Sequence, residues 1–169
     1  MAPPRETSNP DLARSSIGIQ NGTMIPTTRG WLNTLRLGLL VSAIGWGISF
    51  YFTFARWSAA TDQLHGMGAG VIAYGPLLDY WLRMASAVFG CIGIGSAIAC
   101  VRPQAFASFI RLLGPFHFVI GITLSIAAYV NHLTPQLHPT FIPDIVFCFL
   151  TGTLIQLPIL YARKSVRNA

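Results

Sequence analysis

Residues 37–55 read LGLLVSAIGWGISFYFTFA, an uncharged run whose few hydroxyls are scattered among aliphatic, aromatic and small side chains. An α-helix rises 1.5 Å per residue, so roughly 20 such residues cross the ~30 Å hydrocarbon core of a bilayer. With its flanking turn this stretch makes a first span over about Leu32–Ala55. Three further runs of the same length and polarity follow, at about Leu78–Val101, Phe106–Val130 and Phe141–Ala162. The pattern predicts an all-α membrane protein, a four-transmembrane-helix bundle over residues 31–163.

Composition points to the same solvent. The 169 residues are 53% hydrophobic and only 9% charged, against roughly 25% charged in an average soluble chain. A chain so poor in charge cannot cover a water-facing surface, so the lipid bilayer is its expected partner. The net charge of +6 is spread over the N-terminal arm, the helix ends and the tail. A dense basic helix interleaved with stacking aromatics is missing, and nucleic acid is therefore not an expected partner.

Residues 1–30 are rich in Pro, Ser, Thr, Asn and Arg without apolar periodicity, a composition expected to form a mobile arm. The connections differ in kind. A tight turn at Arg102-Pro103-Gln104 predicts an antiparallel hairpin of the second and third spans. Asn131–Thr140, with two prolines, joins the third and fourth. Only Arg56 to about Leu77 is long enough for structure of its own, and its Gly66-Met67-Gly68-Ala69-Gly70 reads as a flexible or re-entrant lid.

Lys and Arg set the expected orientation. Arg5, Arg14, Arg29, Arg36, Arg102, Arg111, Arg163, Lys164 and Arg167 fall on one side, and only Arg56 and Arg83 on the other. Nine against two predicts cytoplasmic termini, a basic tail at 164–169 and a multi-pass protein of the inner (plasma) membrane.

Lipid offers little hydrophobic drive between helices, so small residues mark where backbones approach. Ala87, Cys91, Gly95 and Ala99 recur every four residues on the second span, flanked by Ser86, Gly90, Gly93 and Ala97. Gly38, Ser42, Gly45 and Ser49 do the same on the first. The second span is the expected centre of the bundle. A membrane-protein partner or a homo-oligomer would use whatever small-residue face is left over.

Intramembrane charge is expensive and therefore informative. Asp79 and Arg83 stand four apart on one helical face, Asp144 opens the fourth span, and His132 closes the third. These four form the expected ligand-binding group for a headgroup, a quinone carbonyl or a small anion, with Arg56, Asp62 and His65 able to fold over it. The bland alternative is interfacial anchoring: Arg83 snorkels, Asp79 pairs locally, and Asp144 caps its helix.

His117 lies well inside the third span, beside Pro115. An interhelical hydrogen bond to Gln156, Ser86 or Ser96 is its expected role, because a bis-histidyl haem needs a second histidine at that depth. His65, His132 and His138 all fall in loops or at a helix end. His132 and His138 lack a third ligand nearby, so a metal site is not expected. Cys91, Cys100 and Cys148 lie in apolar runs without a CxxC pair and read as small buried residues. No catalytic motif of the HExxH, GxSxG or P-loop kind is present, and the sequence leaves any cofactor open.

The stretches WLRMASAVFG, RLLGPFHFVIG and Pro143-Asp144 followed by FCFLTG resemble small bacterial four-helix membrane proteins of the DoxX-like kind, over roughly half the chain. That resemblance implies a membrane bundle and, for some members, association with quinol or thiol redox complexes. The cysteine pair that would carry thiol chemistry is missing here, so no catalytic residue is transferred. The expected function is an accessory or structural subunit of a larger membrane assembly. The alternative is a binder or enzyme for a lipid, quinone or anion at the outer face.

Overall fold

A computed structural model describes residues 25–26, 28–136 and 139–167. Its helices are α1 (Arg29–Ile48), α2 (Tyr51–Phe54), α3 (Trp57–Gly66), α4 (Pro76–Val101), α5 (Ala107–Val130) and α6 (Phe141–Arg167). Among the described residues four segments are long and apolar enough to span a bilayer: Arg29–Phe54, which joins α1 to α2, Pro76–Val101, Ala107–Val130 and Phe141–Lys164. Each lies within three residues of the span read from the sequence. The start of α1, the α4–α5 turn and the end of α6 share one end of the bundle, called the turn end below. The opposite, loop end carries α3 and the α5–α6 connection.

Local sequence sets the helix limits. Pro76 opens α4 from the first turn, where its missing N–H costs nothing, and Asp79 sits beside the positive end of the helix dipole. Pro103 ends α4 by pushing Arg102 out of helical geometry (φ −125°, ψ 63°). The last turn of α5 closes through Leu133 N–H to the Ala128 carbonyl (3.0 Å) and His132 N–H to the Tyr129 carbonyl (3.2 Å). That pair of hydrogen bonds places His132 in the left-handed region, at φ 51°. The same device ends α3, where Gly68 takes φ 95° and Ala69 N–H reaches the Leu64 carbonyl at 3.0 Å.

Packing places α1 at the centre, where the sequence pointed to α4. α1 packs along both α4 and α6, α5 packs along α6, and α4 and α5 touch little beyond their turn. The tight α4–α5 hairpin is thus tight only at its connection. Glycines show why. A Cβ at Gly93 of α4 would lie 2.5 Å from the backbone nitrogen of Gly47, so α1 and α4 meet backbone to backbone there. On the other side of α1, a Cβ at Gly38 would sit 2.9 Å from the Leu154 Cβ of α6, and one at Gly45 would collide with the Phe147 ring. Gly121 and Gly152 bring α5 and α6 together in the same way.

The packing face of α4 also shifts from the expected one. The buried positions are Ser86, Gly90, Gly93, Ser96 and Ala99. Of the predicted stripe only Ala99 is buried; Ala87 is partly buried, Gly95 meets the Phe109 ring, and Cys91 faces outward. Cys100 is half-buried and Cys148 buried, so the buried reading holds fully for Cys148 alone.

The turn end has a solid core. Leu35, Leu39, Ile110, Ile155 and Ile159 are sealed from solvent around Ala99, Ala107 and Leu113. Ile25 packs into this core too and Arg29 already lies in α1, so the last part of the predicted arm belongs to the fold. Residues 1–24 and 27 of the arm, and His138, lie outside the described residues.

Candidate functional site

At mid-span a hydrogen-bonded layer crosses the bundle. The indole N–H of Trp46 on α1 donates to Nε2 of His117 on α5 at 2.9 Å. Ser42 Oγ lies 3.4 Å from that same nitrogen and 3.0 Å from Ser96 Oγ of α4. On the other edge of the ring, His117 Nδ1 is 2.8 Å from the Leu113 carbonyl. A carbonyl only accepts and an indole N–H only donates, so the proton belongs on Nδ1 and the lone pair on Nε2. A proton on Nε2 would point at the Trp46 N–H. His117 is a neutral, buried cross-brace of three helices.

Among the partners expected for His117, Ser96 takes part through Ser42, and Gln156 does not. Gln156 packs against Gly114, and its Oε1 is buried without a hydrogen-bond partner. Trp46 was the partner missed. Its signal was legible: a tryptophan in Gly45-Trp46-Gly47, far from either membrane interface, is out of place unless its N–H faces an acceptor inside the bundle.

Above this layer, toward the loop end, the helices part. A cavity of about 280 Å³ is lined by Gly45, Trp46 and Ser49 of the first span, Phe89 of α4, Ile120 and Leu124 of α5, and Asp144, Phe147 and Cys148 of α6. A larger one, about 500 Å³, lies between Ile48, Ser49, Phe52, Phe141 and Asp144 below, and Leu64, Met67, Gly68 and Ala69 above. The α3 segment thus roofs this space, with its Gly68 helix stop turning the chain back over it. A third, about 280 Å³, runs from Leu124 and Ala128 past Leu133 to Asp144. Asp144 lines all three.

Register fixes the depth of Asp144. Gly45 faces Phe147 and the two helices are antiparallel, so Asp144 lies level with Ile48. That is six residues, roughly 9 Å, short of the end of the first span at Phe54, and three residues, roughly 4.5 Å, from the start of its own span at Phe141. Among the described residues its carboxylate takes no hydrogen bond and no ion pair. The first turn of α6 supplies the positive end of a helix dipole, about half a unit charge, and this offsets the carboxylate only in part.

Beside Asp144 the first span changes pitch. The N–H groups of Ser49, Phe50, Phe52 and Thr53 bond three residues back, at 3.0–3.1 Å, and this tightened stretch separates α1 from α2. Ser49, at its start, lines two of the three cavities.

The predicted four-residue group does not assemble. Arg83 grips Asp79 through Nε (3.0 Å) and Nη2 (2.9 Å). Its Nη1 donates to the carbonyls of Phe52 (2.8 Å) and Ala55. Those are terminal carbonyls of the first span, so Arg83 caps α2 from the neighbouring helix. It stands level with residues 52–55, roughly 6–10 Å along the axis from Asp144. His132 is exposed and lines none of the cavities described; its backbone ends α5. Asp62 and His65 line a separate recess with Thr61 and residues 70–72, while Arg56 precedes α3 as its N-cap. Of the predicted set, Asp144 alone reaches the cavities.

No family model, curated protein or solved structure matches the chain. A functional reading therefore rests on Asp144 and the space around it.

Proposed function

We propose that this chain is a multi-pass membrane protein that holds a small amphiphilic molecule, of lipid or quinone size, in the loop-end cavities. One observation carries the reading: an unpartnered carboxylate inside a span, at the point where three cavities meet. A charged group at that depth is costly in hydrocarbon and is retained where it serves a partner or a ligand. Cavities of about 280 and 500 Å³ fall around the lower part of the range that small-molecule sites occupy, roughly 300–1,000 Å³. Their walls are mostly apolar with one strong polar group, which suits a molecule with an apolar body and a polar head.

A small anion fits less well. Arg83, the cation of the predicted group, spends its donors on Asp79 and on two backbone carbonyls. By the lysine and arginine asymmetry the termini lie in the cytoplasm of a cell whose plasma membrane holds the protein, and the cavities open toward the outer face.

Native mass spectrometry of the full chain released from mild detergent tests the reading. A defined small molecule retained by the parent and lost in a cavity-filling Ser49→Leu variant supports it. Stoichiometric co-purifying subunits, with no small molecule at any oligomeric state, would replace it with the accessory-subunit role.

A further inference from the structure

The chemistry around the loop-end cavities is selective in charge as well as in size, and we infer that the molecule they take is a lipophilic cation, an organic ammonium or its like carried on an apolar chain. The inference rests on the binding role proposed above and adds the ligand class.

Three observations combine. Among the described residues the only charged side chain lining the three cavities is Asp144, a carboxylate, and it has no cationic partner there. Arg83, on the neighbouring α4, is held elsewhere by Asp79, Phe52 and Ala55. Five aromatic rings stand among the aliphatic and small residues of the walls: Trp46 and Phe89 stack with centroids 4.8 Å apart, Phe147 meets Trp46 edge-on at 5.5 Å, and Phe52 and Phe141 line the larger space. Aromatic faces carry negative quadrupole charge and attract a cation, most strongly where water is excluded. Asp144 is exposed at this aromatic-bordered crevice, and its unpaired carboxylate therefore favours a positive head, while an anionic head of the same size meets repulsion there. The apolar chain has a path as well. α4 and α5 diverge from their turn, so Phe89 and Leu124 border an opening toward the lipid.

A charge series on a common chain tests this. The full-length protein, with Trp31→Phe, Trp57→Phe and Trp81→Phe leaving Trp46 as reporter, is placed in neutral-lipid nanodiscs. It is titrated with octyltrimethylammonium, octanol and octyl sulfate, against empty nanodiscs. A saturable change in Trp46 emission is expected for all but the sulfate, with octyltrimethylammonium binding about tenfold or more tightly than octanol, equivalent to ~1.4 kcal/mol. Asp144→Asn should bring the cation down to the affinity of octanol and leave octanol unchanged. Asp62→Asn, at the same end but outside these cavities, should change neither.

Equal affinity for cation and alcohol in the parent protein would overturn the cation inference while leaving the binding role intact. The charge series in the parent decides this even if Asp144→Asn fails to fold. The cation inference also falls if Asp62→Asn weakens the cation as much as Asp144→Asn does. A saturable emission change with none of the three would overturn both.

Discussion

The two ends of this bundle are both built from large apolar side chains and are packed in opposite ways. At the turn end, Leu35, Leu39, Ile110, Ile155 and Ile159 fill the space between the helices and are themselves sealed from solvent. At the loop end, Trp46, Phe89, Leu124 and Phe147 are as large, yet they border cavities. Connection geometry accounts for the difference. The short α4–α5 turn pins those helices together at one end only, and α1, wedged between α4 and α6, keeps them apart toward the other. The mid-span layer of Ser42, Trp46, Ser96 and His117 marks the boundary. A solid end and a hollow end on one four-helix frame separate the part that holds the fold from the part free to bind.

Truncation should expose that contrast most strongly. Ile155→Ala removes a fully buried side chain from the solid end and should cost about 2–5 kcal/mol, read as a large drop in thermal midpoint in detergent. Leu124→Ala, which enlarges an existing cavity, should cost under about 1 kcal/mol because part of the side chain has no packing partner to lose. Equal losses would mean that the loop end is packed as tightly as the turn end.

The boundary should answer next. His117→Phe keeps an aromatic ring, one atom larger, but removes the acceptor of the Trp46 N–H, leaving that donor buried and unpaired, at a cost of about 1–3 kcal/mol. A His117→Gln variant that regains most of the lost stability would assign the effect to the hydrogen bond rather than to ring packing. A smaller effect of opposite sign is expected at His132. Its φ of 51° suits glycine, so His132→Gly should raise stability by about 0.5–1 kcal/mol. A loss there would point to a side-chain role for His132 at the loop end.

Much of this frame was legible in the sequence. The four spans follow from length and polarity alone, and the Asp79–Arg83 pair from its i, i+4 spacing. The centre of the bundle was not legible, because small residues at helical spacing occur on several spans and spacing does not say which neighbour they meet. Ala87, Cys91 and Gly95 are as regular as Ser86, Gly90 and Gly93, yet only the second set is buried.

The candidate site was half legible. Asp144 stood out as a carboxylate in an apolar run. Its separation from Arg83 depends on how far α4 overhangs α6, an axial offset set by Gly93 against Gly47 and Gly45 against Phe147. Such offsets arise from tertiary contacts, and no local pattern encodes them. His132 likewise looked like chemistry but serves geometry, because the helix stop at Leu133 needs a left-handed residue before it.

A loop end hollow down to Trp46 is the feature on which the binding role depends. Acrylamide quenching of the Trp46-only protein in nanodiscs probes it without any assumed ligand, since a small polar quencher can reach the indole only along the cavities shared by Ser49 and Asp144. Efficient quenching is expected in the parent and strong protection in Ser49→Leu, with the fold unchanged. An indole already shielded in the parent, or one quenched equally in both proteins, would contradict a hollow loop end.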